Sequence, residues 1–173
     1  MKIFILLLTP LLFFTSCGGE NDLETIADVD INKYAGKWYE IARLPNSFEK
    51  GMTCVTATYT LKENGKIEVL NAGVPKDKDN KRKDINGTAW VPDEALPVRL
   101  KVRFFWPFAG DYYIMHLDAN YQYALVGSPT RNFLWILSRK PQLEQTVIDH
   151  LLSIAKEAKF DIDAVEMISQ DCG

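Results

Sequence analysis

The residues best equipped for chemistry are few: Cys17, Cys54, Cys172, His116 and His150. A structural or catalytic zinc needs cysteines and histidines at short, recurring spacings, and these five show none. No nucleophile elbow or histidine-based metal motif is present. Haem would call for a histidine on an inward face. Strand alternation instead points His116 outward, and His150 falls in a helical stretch near the C-terminus. Catalysis, a metal and a cofactor are therefore not expected. A net charge of -3 over 173 residues also lacks the basic excess that a phosphate backbone requires, which argues against nucleic acid as a partner.

Cys17 follows a distinctive N-terminus. Lys2 precedes an apolar run from Ile3 to Phe14, too short to span a bilayer, which ends in Phe14-Thr15-Ser16-Cys17-Gly18-Gly19. Two small residues before a cysteine, directly after such a run, resemble the lipobox of bacterial lipoproteins. That resemblance implies cleavage before Cys17, lipidation of Cys17, and a membrane partner through the lipid anchor. Gly18 in place of Asp after the cysteine favours the outer membrane. Residues 1–16 then form a signal peptide, 17–28 a lipidated cysteine with an acidic, flexible tether, and 29–173 the folded domain. Setting Cys17 aside leaves Cys54 and Cys172 as an even pair in an oxidising compartment, and a disulfide between them is expected. Closing so long a loop contributes about 4 kcal/mol in the chain-entropy account. In such a protein the sequon Asn86-Gly87-Thr88 carries little weight.

The elements that position these residues follow from period-two alternation. Val55, Ala57, Tyr59 and Leu61 alternate with Cys54, Thr56, Thr58 and Thr60. Glu63 to Lys66 makes a hairpin turn before Ile67, Val69 and Asn71. Val98, Leu100, Val102 and Phe104 alternate with Arg99, Lys101 and Arg103, and further runs carry Tyr113, Met115 and Leu117, then Ala124 and Val126, then Phe133, Trp135 and Leu137. Turn residues separate these runs. The fold class is all-β, an eight-stranded up-and-down antiparallel barrel of a size that can enclose one small ligand. One amphipathic helix packs outside it, begun by Pro141 and marked by Leu143, Val147, Leu151, Ile154 and Ala158.

Gly36-Lys37-Trp38-Tyr39-Glu40-Ile41-Ala42-Arg43 resembles the first signature of the lipocalin family, and closely that of its bacterial, apolipoprotein-D-like branch. Asp30 to Tyr34 before it and Leu44 to Gly51 after it match the same branch. Asp118 to Pro129 resembles the second signature region, and Leu134 to Arg139 the third. The resemblance runs from about Val29 to the end. It implies a bacterial outer-membrane lipocalin in which Gly36, Trp38 and Arg139 are structural, with the arginine lying across the indole at the closed end.

Alternation with the family's orientation points twenty residues inward as an apolar calyx: Ala42, Val55, Ala57, Tyr59, Ile67, Val69, Asn71, Ile85, Gly87, Ala89, Leu100, Val102, Phe104, Tyr113, Met115, Leu117, Ala124, Val126, Phe133 and Trp135. Ala57, Gly87, Ala89 and Ala124 leave space, while Tyr59, Tyr113 and Asn71 supply the polar contacts. Glu40 is the only inward charge expected, in a structural hydrogen bond low in the barrel. Phe48, Trp106 and Phe108 are expected on loops at the mouth, as lids packed on the rim, with contact to the bilayer or to a second copy as the alternative, and Lys76 to Lys83 as a solvated loop, with an anionic-lipid contact as the alternative. The implied ligand is a small hydrophobic molecule, a fatty acid or lysophospholipid. A structural lipoprotein with a filled barrel, or a lipid-modifying enzyme, are the alternatives. A homodimer is left open.

Overall fold

The computed structural model describes residues 22–76 and 81–172. The signal peptide and Cys17 lie outside the described residues. A single turn of helix, α1 (Ile31–Tyr34), is capped by the Asp30 carboxylate accepting from the Asn32 amide. Eight antiparallel strands follow: β1 (Gly36–Arg43), β2 (Met52–Leu61), β3 (Ile67–Pro75), β4 (Lys83–Trp90), β5 (Arg99–Phe105), β6 (Phe108–Leu117), β7 (Tyr123–Gly127) and β8 (Leu134–Ser138). Each pairs with the next, and β1 pairs with both β2 and β8, so the sheet closes on itself. Closure removes the exposed edges that an open sheet would carry.

Helix α2 (Gln145–Glu157) lies against the outside of the barrel. Its buried spine is Ile148, Leu151 and Ala155, flanked by the partly buried Val147 and Ile154, so the apolar face sits one position round from the expected one. Pro141 does not open the helix. The helix begins after Glu144, and Pro141 belongs to the turn that leads into it. Leu23 is fully buried in the same exterior layer, together with Ile41, Leu125, Leu134 and Ile136. Among the described residues no helix is long and apolar enough to cross a membrane.

A ninth strand, β9 (Glu166–Met167), was not anticipated. It pairs with Ala42 and Arg43 of β1, beyond the point where β1 and β2 part. The Ile168 amide then donates to the Ile41 carbonyl, and the Cys54 amide to Ser169. Gln170 Nε2 donates to the carbonyls of both Glu40 and Val55. The C-terminal segment thus fills the seam between β1 and β2, and Cys54 is disulfide-bonded to Cys172 at its end.

Candidate ligand-binding calyx

One end of the barrel is shut by Trp38 and Arg139. Trp38 is fully buried, and its indole N–H donates to the Tyr34 carbonyl at 2.8 Å. The Arg139 guanidinium lies 3.8 Å from the Trp38 ring centroid and donates to the carbonyls of Lys33, Tyr34, Ala35, Lys37 and Tyr121. Gly36, at φ +95°, passes close beneath. A Cβ there would stand 3.3 Å from Arg139 Nη1, and the conformation itself disfavours any L side chain.

Above this plug three phenols meet inside the barrel. Tyr112 Oη lies 2.6 Å from Tyr34 Oη and 2.9 Å from Tyr59 Oη. Burial pushes all three hydroxyls well above the ordinary tyrosine value, so the trio is a neutral polar floor. Beside it is a void of about 10 Å³ lined by Ile31, Ala35, Ile67, Ala89, Leu100 and Val102, room for one water.

Most of the expected wall residues face the interior. Ala57, Tyr59, Ile67, Val69, Ala89, Leu100, Val102, Phe104, Leu117, Ala124, Val126 and Trp135 pack in one interior cluster with Trp38. Asn71, Ile85 and Gly87 share that face through the pairs Asn71–Ile85 and Val69–Gly87. Val55 lies on it against Gly73. Phe133 stacks on Trp135 at the mouth, with ring centroids 5.8 Å apart. The lower interior is well filled. Ala89 and Ala124 are buried, and Gly87 leaves no space of its own, because a Cβ there would fall 2.7 Å from the Phe104 ring. Nearer the mouth, Ile85, Phe104 and Trp135 point inward yet are only half-buried. Inward side chains of a closed barrel meet solvent through its lumen, so the upper half is open.

Three expected wall residues lie on the other face. Ala42, Tyr113 and Met115 pack in the exterior layer under α2, and Tyr113 also faces the Arg99 guanidinium. The cause is a pair of β-bulges, between Glu40 and Ala42 in β1 and between Ile114 and His116 in β6. Each inserts one residue and reverses the alternation beyond it. Tyr112 and Ile114 take the inward places instead. Tyr113 therefore supplies no polar contact to the calyx; Tyr112 does. Asn71 Oδ1 is buried on the inner wall without a hydrogen-bond partner.

Glu40 is not the only inward charge. Arg43 is 2% exposed and donates from Nη1 to Glu40 at 2.7 Å and from Nη2 to the Glu49 carbonyl at 2.6 Å. Glu49, in the β1–β2 loop, is itself buried and accepts from Trp135 Nε1 and Asn46 Nδ2. This loop is thereby bolted into the upper barrel. Burial first, and the neighbouring Glu49 second, hold the Glu40 carboxyl well above the usual carboxylate range, against the pull of Arg43. Two acids and one base share this site. Nothing in the hydrophobic pattern announces it, since arginine and glutamate ordinarily read as surface.

The mouth aromatics are not packed lids. Phe48 is 58% exposed, Phe105 65%, Trp106 82% and Phe108 78%. Phe48 alone among them meets another ring, that of Phe133 at 5.7 Å. His116 lies outside the barrel, stacked on Tyr123 and edge-on to His150 of α2.

Residues 29–170 match the family model described as a lipocalin-like domain. The chain is 37% identical over 171 residues to the outer membrane lipoprotein Blc of Vibrio cholerae, covering 98% of this chain and 99% of that one. It is 38% identical to its namesake in Escherichia coli, over 84% of this chain and 81% of that protein. Bovine apolipoprotein D shows 36% identity, with coverage of 82% and 77%. Among solved structures, tobacco hornworm insecticyanin superposes with a TM-score of 0.68 at 22% identity, over 86% of this chain and 84% of that one, a likeness of fold. With a closed eight-stranded barrel, an external helix and an arginine laid across a buried tryptophan, the chain belongs to the lipocalin family, alongside its bacterial outer-membrane lipoproteins and apolipoprotein D.

Proposed function

We propose that this protein binds a small hydrophobic ligand in its upper calyx and carries or stores it at the bacterial cell envelope, and that the ligand is a fatty acid or a lysophospholipid. The observation that carries the reading is the inner wall near the mouth. Apolar side chains there face inward and remain half-buried, above a floor that is polar but uncharged. An acyl chain that buries about ten methylenes in such a space gains about 8 kcal/mol, the scale of micromolar affinity before ordering costs. Among the described residues the inward charges are Glu40, Arg43 and Glu49, of which Arg43 and Glu49 lie toward the mouth, where a lipid head group would stay. A binding role fits the placement of the reactive residues, because both histidines are outside the barrel and Cys54 is bonded. The lipobox adds a second element, a mature chain held at the outer membrane by lipid on Cys17.

Titration of the oxidised, delipidated chain from Gly18 with a fatty acid and a lysophospholipid, followed by tryptophan fluorescence and calorimetry, tests the ligand. Saturable one-to-one binding is expected. Val102→Glu, which puts a carboxylate in the apolar wall, abolishes it while the circular dichroism stays native. No binding by folded protein would favour the filled structural barrel, a reading to which the single-water void at the floor lends some weight. Cys17→Ala is expected to release the chain from the membrane fraction, and its retention there would count against lipidation as the anchor.

A further inference from the structure

We infer that His116 and His150 form a binding site for a late first-row divalent cation such as Cu2+ or Zn2+, outside the barrel and independent of the calyx. They are the two histidines of the chain, and although their spacing in sequence shows no metal motif, the fold sets them side by side. His116 stands on the outer face of β6 and His150 on the second turn of α2. Their ring centroids are 5.6 Å apart, with the planes at 87°. A metal takes an imidazole nitrogen at about 2.0–2.1 Å, which places it about 3.2 Å from the ring centre. Two rings spaced as these are would meet such an ion at about 120°, near the tetrahedral angle. A half-turn of either ring about its Cβ–Cγ bond, a broad torsion, exchanges the edge it presents and moves neither backbone.

The surroundings leave the pair ready to bind. Among the described residues neither imidazole hydrogen-bonds to a protein group, and the ring nitrogens of His116 are not sealed from solvent. His150 is exposed. Burial first, and His150 second, hold the His116 imidazole below its ordinary value, against the pull of Asp118. At neutral pH that ring therefore carries the lone pair a metal requires. Tyr123 stacks on His116 with the ring planes 6° apart and so holds the plane of the ligand, a task that falls to a hydrogen bond in most metal sites. Asp118, tied to the amides of Asn120 and Gln122, lends the site negative charge. Among the described residues no third His, Cys, Asp or Glu completes the set, so water keeps the remaining positions. Two nitrogen ligands bind copper above zinc. A bound ion would cross-link β6 to α2 beside the buried Leu151, adding a bond to a helix held there by its apolar face.

The test uses the oxidised chain from Gly18, which contains every residue of the barrel, helix and disulfide, without an affinity tag and stripped of metal by a chelator. With two histidines, the chain shows two imidazole Cε1–H signals in its proton spectrum. Substoichiometric Cu2+ is expected to broaden both in parallel, because one paramagnetic ion touches both rings. Calorimetry at neutral pH is expected to show one-to-one binding of Zn2+, and the ion raises the thermal midpoint of the parent chain. His116→Gln and His150→Gln each weaken that binding by about tenfold or more and lose the rise in midpoint. Binding also weakens in acid, as the imidazoles take up protons. Absence of saturable binding, broadening confined to one histidine, or an affinity that either variant leaves unchanged overturns the site.

Discussion

Arg139 at the closed end and Arg43 near the mouth are both drawn in from solvent, yet they are neutralised by different means. Arg139 is spread over an indole face and five backbone carbonyls, and makes no ion pair among the described residues. Its partners belong to the main chain, so what it fixes is the path of α1, the start of β1 and the β6–β7 turn. Arg43 is held by a carboxylate and two carbonyls, with a second carboxyl group close by and its own Nε unpartnered. One end is braced by dipoles and the other by charges. A charged site responds to protons, to substitution and to an arriving head group in ways that a dipolar plug does not.

The largest effect should come from Arg43→Met, which strands two acids in a buried pocket. A loss of about 3–5 kcal/mol in urea unfolding is expected. A loss no larger than that of the second variant, Arg139→Lys, would break the contrast. Arg139→Lys keeps the charge but gives up the planar fork and much of the ring contact, and should cost about 1–2 kcal/mol. The smallest effect concerns pH. Glu40 keeps its proton to higher pH when folded than when unfolded, so the folded state binds more protons above the ordinary carboxylate value of 4.5. Its contribution to stability is therefore full below that value and is lost as pH rises toward the raised one. Glu40→Gln mimics the protonated form. The difference in urea midpoint between the parent and this variant should shift in the variant's favour from acid to neutral pH, and a flat difference would show that folding does not raise the Glu40 carboxyl above its ordinary range.

Where side chains alternate without interruption, the sequence reports their positions faithfully. The inward sets of β3, β5 and β7 are those that period two predicts, and Trp38 with Arg139 sits as the family signatures imply. Legibility fails at the bulges. In β6 both parities are apolar and aromatic, Tyr112 and Ile114 against Tyr113 and Met115, so one inserted residue exchanges the sets without leaving a trace in composition. The mouth was obscure for another reason. Burial of Arg43 and Glu49 and exposure of Trp106 are each set by neighbours distant in sequence, and local pattern carries no account of them. The calyx wall is fuller than the small residues suggest, since Phe104 occupies the place that Gly87 vacates.

The seam between β1 and β2 bears on how this chain comes into being. β1 is the first strand to be synthesised, and its last partners, β8 and β9, are the final two strands of the chain. The disulfide that secures the seam spans 118 residues and ends at Cys172. Contacts so far apart in sequence form late, because the closure entropy must be met before they repay it. A chain threaded through a membrane from its N-terminus would therefore remain an unclosed ribbon until its last residues had crossed. On the reading proposed for the N-terminus, the architecture would defer closure of the barrel to the far side of the membrane.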